Sequence, residues 1–111
     1  MFQIYDNGRI TLTRGDSARL SVSIINDVTK NEYVISESDV LKLTLKKSIK
    51  DLNHVLQKEV KGLSVFYIRP EDTSGLDFGK YKYDVEITTS AGDVYTVIGP
   101  SEFEILPEVT C

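Results

Sequence analysis

Apolar and polar side chains alternate at every second residue through much of this sequence. In residues 18–25, Ala18, Leu20, Val22 and Ile24 fall on one side and Arg19, Ser21 and Ser23 on the other. In residues 40–47, Leu41, Leu43 and Leu45 alternate with Lys42, Thr44 and Lys46. Successive side chains of an extended chain point to opposite faces, so these segments can bury one apolar face only as β-strands. No segment keeps a helical period for three turns. Polar and glycine clusters such as Asp6-Asn7-Gly8, Arg14-Gly15-Asp16-Ser17 and Ser90-Ala91-Gly92-Asp93 punctuate the runs as turns. The reading is an all-β domain of about eight strands, with consecutive hairpins pointing to antiparallel pairing. Further strands are expected at residues 2–5, 9–13, 32–35 and 63–69. The charged run 54–60 suits a sheet edge, and residues 48–53 form a connection. Gly99-Pro100 should interrupt pairing between the runs 94–98 and 102–105. One domain spans residues 1–106, and residues 107–111 form a loose tail.

Composition narrows the chemistry. The formal charge is −4, and the densest basic stretch, residues 42–50, alternates its lysines with leucines, as a solvated strand face does. Nucleic acid is therefore not expected as a partner. No apolar run approaches the ~18 residues of a membrane helix, so no membrane is expected either. The opening residues 1–6 lack the basic and apolar regions of a signal peptide, so export by a cleaved leader is not expected. The single Cys is Cys111 and the single His is His54. They allow no internal disulfide and no thiol- or imidazole-rich metal site.

The carboxylate pairs Asp84/Glu86 and Glu102/Glu104 fall on the outward face of their strands. No Trp accompanies them as a sugar platform. Asp6-Asn7 and Asn26-Asp27 match no calcium-loop spacing. Nucleophile elbow, phosphate loop and dinucleotide fingerprint are all missing from the sequence. The expectation is a non-catalytic protein with no cofactor, no metal and no catalytic residues. Arg14-Gly15-Asp16 spells an adhesion tripeptide, but Gly and Asp at these positions equally make a β-turn.

Residues 69–85 carry the most specific local pattern. Pro70 opens a short helical turn, and Asp77, Gly79, Tyr81 and Tyr83 then alternate at the spacing of an immunoglobulin-type corner. There a tyrosine packs its ring and bonds its hydroxyl to nearby backbone. Tyr81 is placed for that role, and Tyr83 stands where such domains often carry Cys. Tyr81, Tyr83, Val85 and Ile87 face inward. The expected fold is thus an antiparallel immunoglobulin-like β-sandwich with Asp77, Gly79, Tyr81 and Tyr83 as its structural corner. Parity leaves Tyr5, Tyr33, Tyr67 and Tyr95 outward. Tyr67 and Tyr95 are candidates for a protein-contact surface, since tyrosine is enriched in interface cores.

The run Ile10-Thr11-Leu12-Thr13-Arg14-Gly15-Asp16-Ser17-Ala18 resembles the opening of small prophage-encoded structural proteins of Gram-positive bacteria. So do Ile68-Arg69-Pro70-Glu71-Asp72-Thr73 and Gly79-Lys80-Tyr81-Lys82-Tyr83-Asp84-Val85 further on. Gly92-Asp93-Val94-Tyr95-Thr96-Val97-Ile98 and Pro100-Ser101-Glu102-Phe103 continue the likeness. Such proteins are similar to the N-terminal β-sandwich domain of siphophage upper-baseplate proteins. The resemblance implies a virion structural or accessory module of baseplate, tail, neck or adaptor type. It would be made in the bacterial host cytoplasm and bind other phage structural proteins or further copies of itself. It carries over no catalytic residue. A carbohydrate-binding or cell-surface adhesion module on the same fold is the alternative expectation.

Overall fold

A computed structural model describes residues 2–4, 8–25 and 29–107, with side chains from residue 8 onward. The alternating runs become strands β1 (Phe2–Ile4), β2 (Ile10–Thr13), β3 (Ala18–Ser21), β4 (Val40–Lys46), β5 (Leu56–Lys61) and β6 (Val65–Ile68). A single helical turn, α1 (Pro70–Thr73), leads to β7 (Gly79–Thr88) and β8 (Val94–Leu106). Alternation translates directly into burial. On β4 the three leucines are buried, and Lys42, Thr44 and Lys46 lie half-buried on the other face. On β7, Tyr81, Tyr83, Val85 and Ile87 are buried in turn.

Six strands form one curled sheet in the order β1-β2-β8-β7-β4-β5, and β3 and β6 form a separate two-stranded ribbon. The ribbon contributes Ala18, Leu20, Phe66 and Ile68 to the core. They pack with Ile10 and Leu12 of β2, the β4 leucines, the inner face of β7, and Phe103 and Ile105 of β8. The chain crosses from large sheet to ribbon after β2 and again after β5, and returns after β3 and, through α1, after β6.

The wholly antiparallel pairing expected from consecutive hairpins is corrected at one place. β2 runs parallel to β8, with Ile10 opposite Phe103 and Thr13 opposite Leu106. Hairpin reasoning sees only neighbours in sequence. β2 departs for the ribbon instead of turning back, so its far neighbour is free to run alongside it. Two smaller expectations also change. The segment 32–35 makes one isolated bridge, Ile25 to Glu32, in place of a strand. Gly99-Pro100 does not end the pairing of β8. It lies instead in a bulge where the register against β7 shifts on both sides of Val85, which accommodates a residue with no N–H to donate. β5, with Lys58, Glu59 and Lys61, lies at one edge of the large sheet.

Candidate interaction surface

The corner is built from two stretches far apart in sequence. Pro70 opens α1, and the Asp72 carboxylate turns back to accept the Arg69 amide at 2.8 Å and also binds the Lys58 ammonium. Thr73 is fully buried, and its Oγ1 accepts the Gly15 amide at 3.0 Å. Arg14 donates to the Leu76 carbonyl at 3.3 Å and lays its guanidinium 4.2 Å from the centre of the Phe78 ring. The Arg14-Gly15-Asp16 turn is thereby docked onto the segment after α1, and its arginine is not splayed for an external carboxylate.

The four residues expected at the corner lie just before and along the first half of β7. The Tyr81 hydroxyl donates to the Asp77 carbonyl at 2.8 Å, and the Lys47 ammonium lies 4.5 Å over its buried ring. Gly79, at φ +128°, occupies backbone space that an L side chain rarely adopts. The Tyr83 ring meets Phe103 edge-on at 6.0 Å and 81°, and its hydroxyl donates to the Gly8 carbonyl. Burial pushes both phenols above the ordinary tyrosine range, and for Tyr81 the nearby Asp77 carboxylate adds to it.

The outward face of the ribbon has a different character. Arg19 on β3 is the cross-strand partner of Tyr67 on β6, and Ser21 is the partner of Val65. The two guanidinium groups of Arg19 and Arg69 lie 5.5 and 4.7 Å from the Tyr67 ring centre. All three side chains are exposed, and among the described residues neither arginine makes an ion pair. A guanidinium over an aromatic ring is held there by attraction to its face and still presents its N–H groups, and the Arg69 charge also helps hold the Asp72 carboxyl low. Tyr67 was the member of this stack anticipated from sequence. Arg19 and Arg69 were missed, although the outward parity of Arg19 was visible, because the β3–β6 register was not.

Tyr95 lies elsewhere, 58% exposed at the far end of the large sheet. It borders a groove of about 660 Å³ that Ile24, Ile25, Tyr33, Ile87 and Val97 also line. Tyr33, expected outward, is half-buried instead. Its hydroxyl donates to Asp39 at 2.7 Å. The buried Asp39 carboxylate also accepts the Ser36 amide at 3.0 Å and the Ser90 amide at 3.1 Å, joining two loops. The Ser36 amide bond, followed by the Tyr33 hydroxyl, holds the Asp39 carboxyl below its usual range. Bonding to Asp39 raises the Tyr33 phenol. Nothing in the spacing of Tyr33, Asp39 and Ser90 announces this cluster.

The remaining candidates are dispersed. Glu102 lies between Arg9 at 3.9 Å and Lys80 at 3.8 Å. Asp84 is half-buried beside the Gly99-Pro100 bulge, with its Oδ1 enclosed and unbonded. Burial, then the neighbouring Glu86, pushes its carboxyl up. His54 is exposed. Tyr5, Asp6-Asn7, Asn26-Asp27 and Cys111 lie outside the described residues. Among the described residues no helix is long and apolar enough to cross a membrane. No protein-family model matches the chain, and no curated protein matches it in sequence.

Proposed function

We propose that this chain is a non-catalytic structural module of a phage particle that docks onto other virion proteins through the outer face of the β3–β6 ribbon. The observation that carries the interface is the Arg19–Tyr67–Arg69 stack. Arginine and tyrosine concentrate binding energy at protein interfaces. Here they stand on a strand pair, preordered by stacking, in a protein whose net charge is negative. The partner surface that fits is acidic, with carboxylates placed to bridge the two guanidinium forks.

The virion assignment rests on the sequence resemblance, and one structural relation supports it. Residues 13–18 and residues 69–79, which carry much of that resemblance, pack on each other through Gly15–Thr73, Arg14–Leu76 and Arg14–Phe78. The likeness thus falls on one folded unit. We read the finer architecture as immunoglobulin-like, supported by the ribbon packed across the large sheet and by the Tyr81–Asp77 corner. The module would be made in the host cytoplasm and end in the particle.

Mass spectrometry of purified particles after prophage induction tests the reading. The expected result is this chain at a fixed ratio to known structural proteins. Its absence from particles that contain all other structural proteins would overturn the proposal. An R19S/R69S double variant should fold normally and fail to enter particles.

A further inference from the structure

β8 is paired with β7 from Val94 to Ile105, but on its other side β2 covers only Phe103 to Leu106. Among the described residues, no strand pairs with the outer edge of residues 94–97. In an antiparallel ladder alternate residues direct their N–H and C=O groups to the neighbour and away from it. Half of the backbone groups in this stretch therefore point outward along the sheet.

Sheet edges are normally guarded by charge, proline or a bulge. β5 has its lysines and glutamate, and the section of β8 around residue 100 has both a proline and a bulge. Residues 94–97 read Val-Tyr-Thr-Val and have none of these guards. Val94 and Tyr95 are 55% and 58% exposed. This unguarded edge opens into the groove whose floor is Ile87 and Val97 and whose far wall is Ile24, Ile25 and Tyr33.

We propose that this edge takes up one extended peptide segment of a partner protein as an added strand, with alternating apolar and basic side chains. The span of residues 94–97 is about 13 Å, enough to hold a short strand by its main chain. Apolar side chains of the incoming segment would face Ile87 and Val97. The charge requirement follows from the surroundings. Among the described residues Asp93 is the only charged residue lining the groove, Glu32 is bridged to Ile25 in its wall, and Glu86, which also has Lys42 as a cross-strand partner, stands opposite Thr96. Among the described residues no Lys or Arg lines the groove. A second copy fits less well, because its own edge is bordered by the same carboxylates. This inference stands on the edge alone and does not depend on the virion reading.

The test titrates the isotopically labelled full chain with an acetylated, amidated peptide of four Lys-Val repeats, and in parallel with its Glu-Val counterpart. The result expected is about tenfold slower amide exchange at alternate residues within 94–97 with the Lys-Val peptide. The Glu-Val peptide should bind at least about tenfold more weakly. A T96K variant, which guards an exposed edge position without touching the core, should lose about tenfold in affinity while keeping its native spectrum.

Equal binding of both peptides would overturn the charge assignment. Three outcomes would overturn the added strand itself. One is full protection of the residue 94–97 amides in the free protein, showing the edge already covered. Another is no change at these amides with either peptide. The third is a saturable oligosaccharide from a glycan array shifting the same amides while the peptides do not. Virion mass spectrometry reads none of these, so either proposal can fail alone.

Discussion

Replacing Tyr81 with Phe deletes one oxygen and leaves the ring, its burial and the Lys47 ammonium above it in place. What is lost is the 2.8 Å bond to the Asp77 carbonyl. Asp77 is exposed, so water can re-solvate that carbonyl. The net cost is then that of an ordinary intramolecular hydrogen bond, ~1 kcal/mol. Tyr83→Phe removes a bond to Gly8 from a hydroxyl on a buried residue, which strands the acceptor in a less accessible place. The expected cost there is about 2 kcal/mol, within the range for a buried group left unsatisfied. Tyr67→Phe alters a hydroxyl on the outer face of the ribbon and should cost close to nothing.

For a chain of 111 residues, 1 kcal/mol corresponds to a Tm shift of roughly 4 °C. Losses of about 4 °C for Tyr81→Phe and about 8 °C for Tyr83→Phe are expected in calorimetry, with none for Tyr67→Phe. Urea titrations should show lower midpoints at unchanged m-value, since the surface exposed on unfolding is the same. A Tyr81→Phe variant as stable as the parent would refute the corner bond. A Tyr81→Phe loss larger than that of Tyr83→Phe would refute the ranking by burial.

Other expectations follow from the same inventory. Asp84→Asn should raise Tm at neutral pH, because the folded carboxyl is pushed above its ordinary value and its charged form is the disfavoured one. The gain should shrink as pH falls through the raised folded value and be gone below about 4, where the unfolded carboxyl is protonated as well, and a variant less stable at neutral pH would contradict this. Asp39→Asn should act in the opposite sense. The folded carboxyl is held low, so its contribution is present above the ordinary carboxylate range and is lost as pH falls through the folded value. Faster exchange of the Ser36 and Ser90 amides at neutral pH is the readout. Thr73→Val leaves the Gly15 amide without its acceptor, which should cost ~1–3 kcal/mol in urea unfolding, and Thr73→Ser should restore most of it.

Much of the fold could be read along single strands. Parity on β4 and β7 named Leu41, Leu43, Leu45, Tyr81, Tyr83, Val85 and Ile87 as inward, and all seven are buried. Pairing between distant strands could not be read this way. The β2–β8 register joins opposite ends of the chain, and the Arg19–Tyr67 pair depends on which residue of β6 faces β3. Both are products of packing, invisible to a local pattern. The same holds for Asp39, which follows the polar residues Ser36, Glu37 and Ser38 in sequence. It is buried where three donors from two loops converge on it. The Arg14-Gly15-Asp16 turn shows the converse. Its local chemistry was legible as a turn, but its docking on Thr73 and Phe78 was not.

The parallel pairing of β2 with β8 also sets a timetable. During synthesis the β1–β2 hairpin emerges first, yet β2 finds its second neighbour only after residues 103–106 have left the ribosome. Until then one side of Ile10, Leu12 and the strand backbone stays exposed to other nascent chains. Long-range pairing of this kind makes closure late and comparatively slow. A ribosome-stalled chain lacking residues 103–106 should therefore hold β4 and β7 together as an antiparallel pair while the β2 amides directed at β8 still exchange freely.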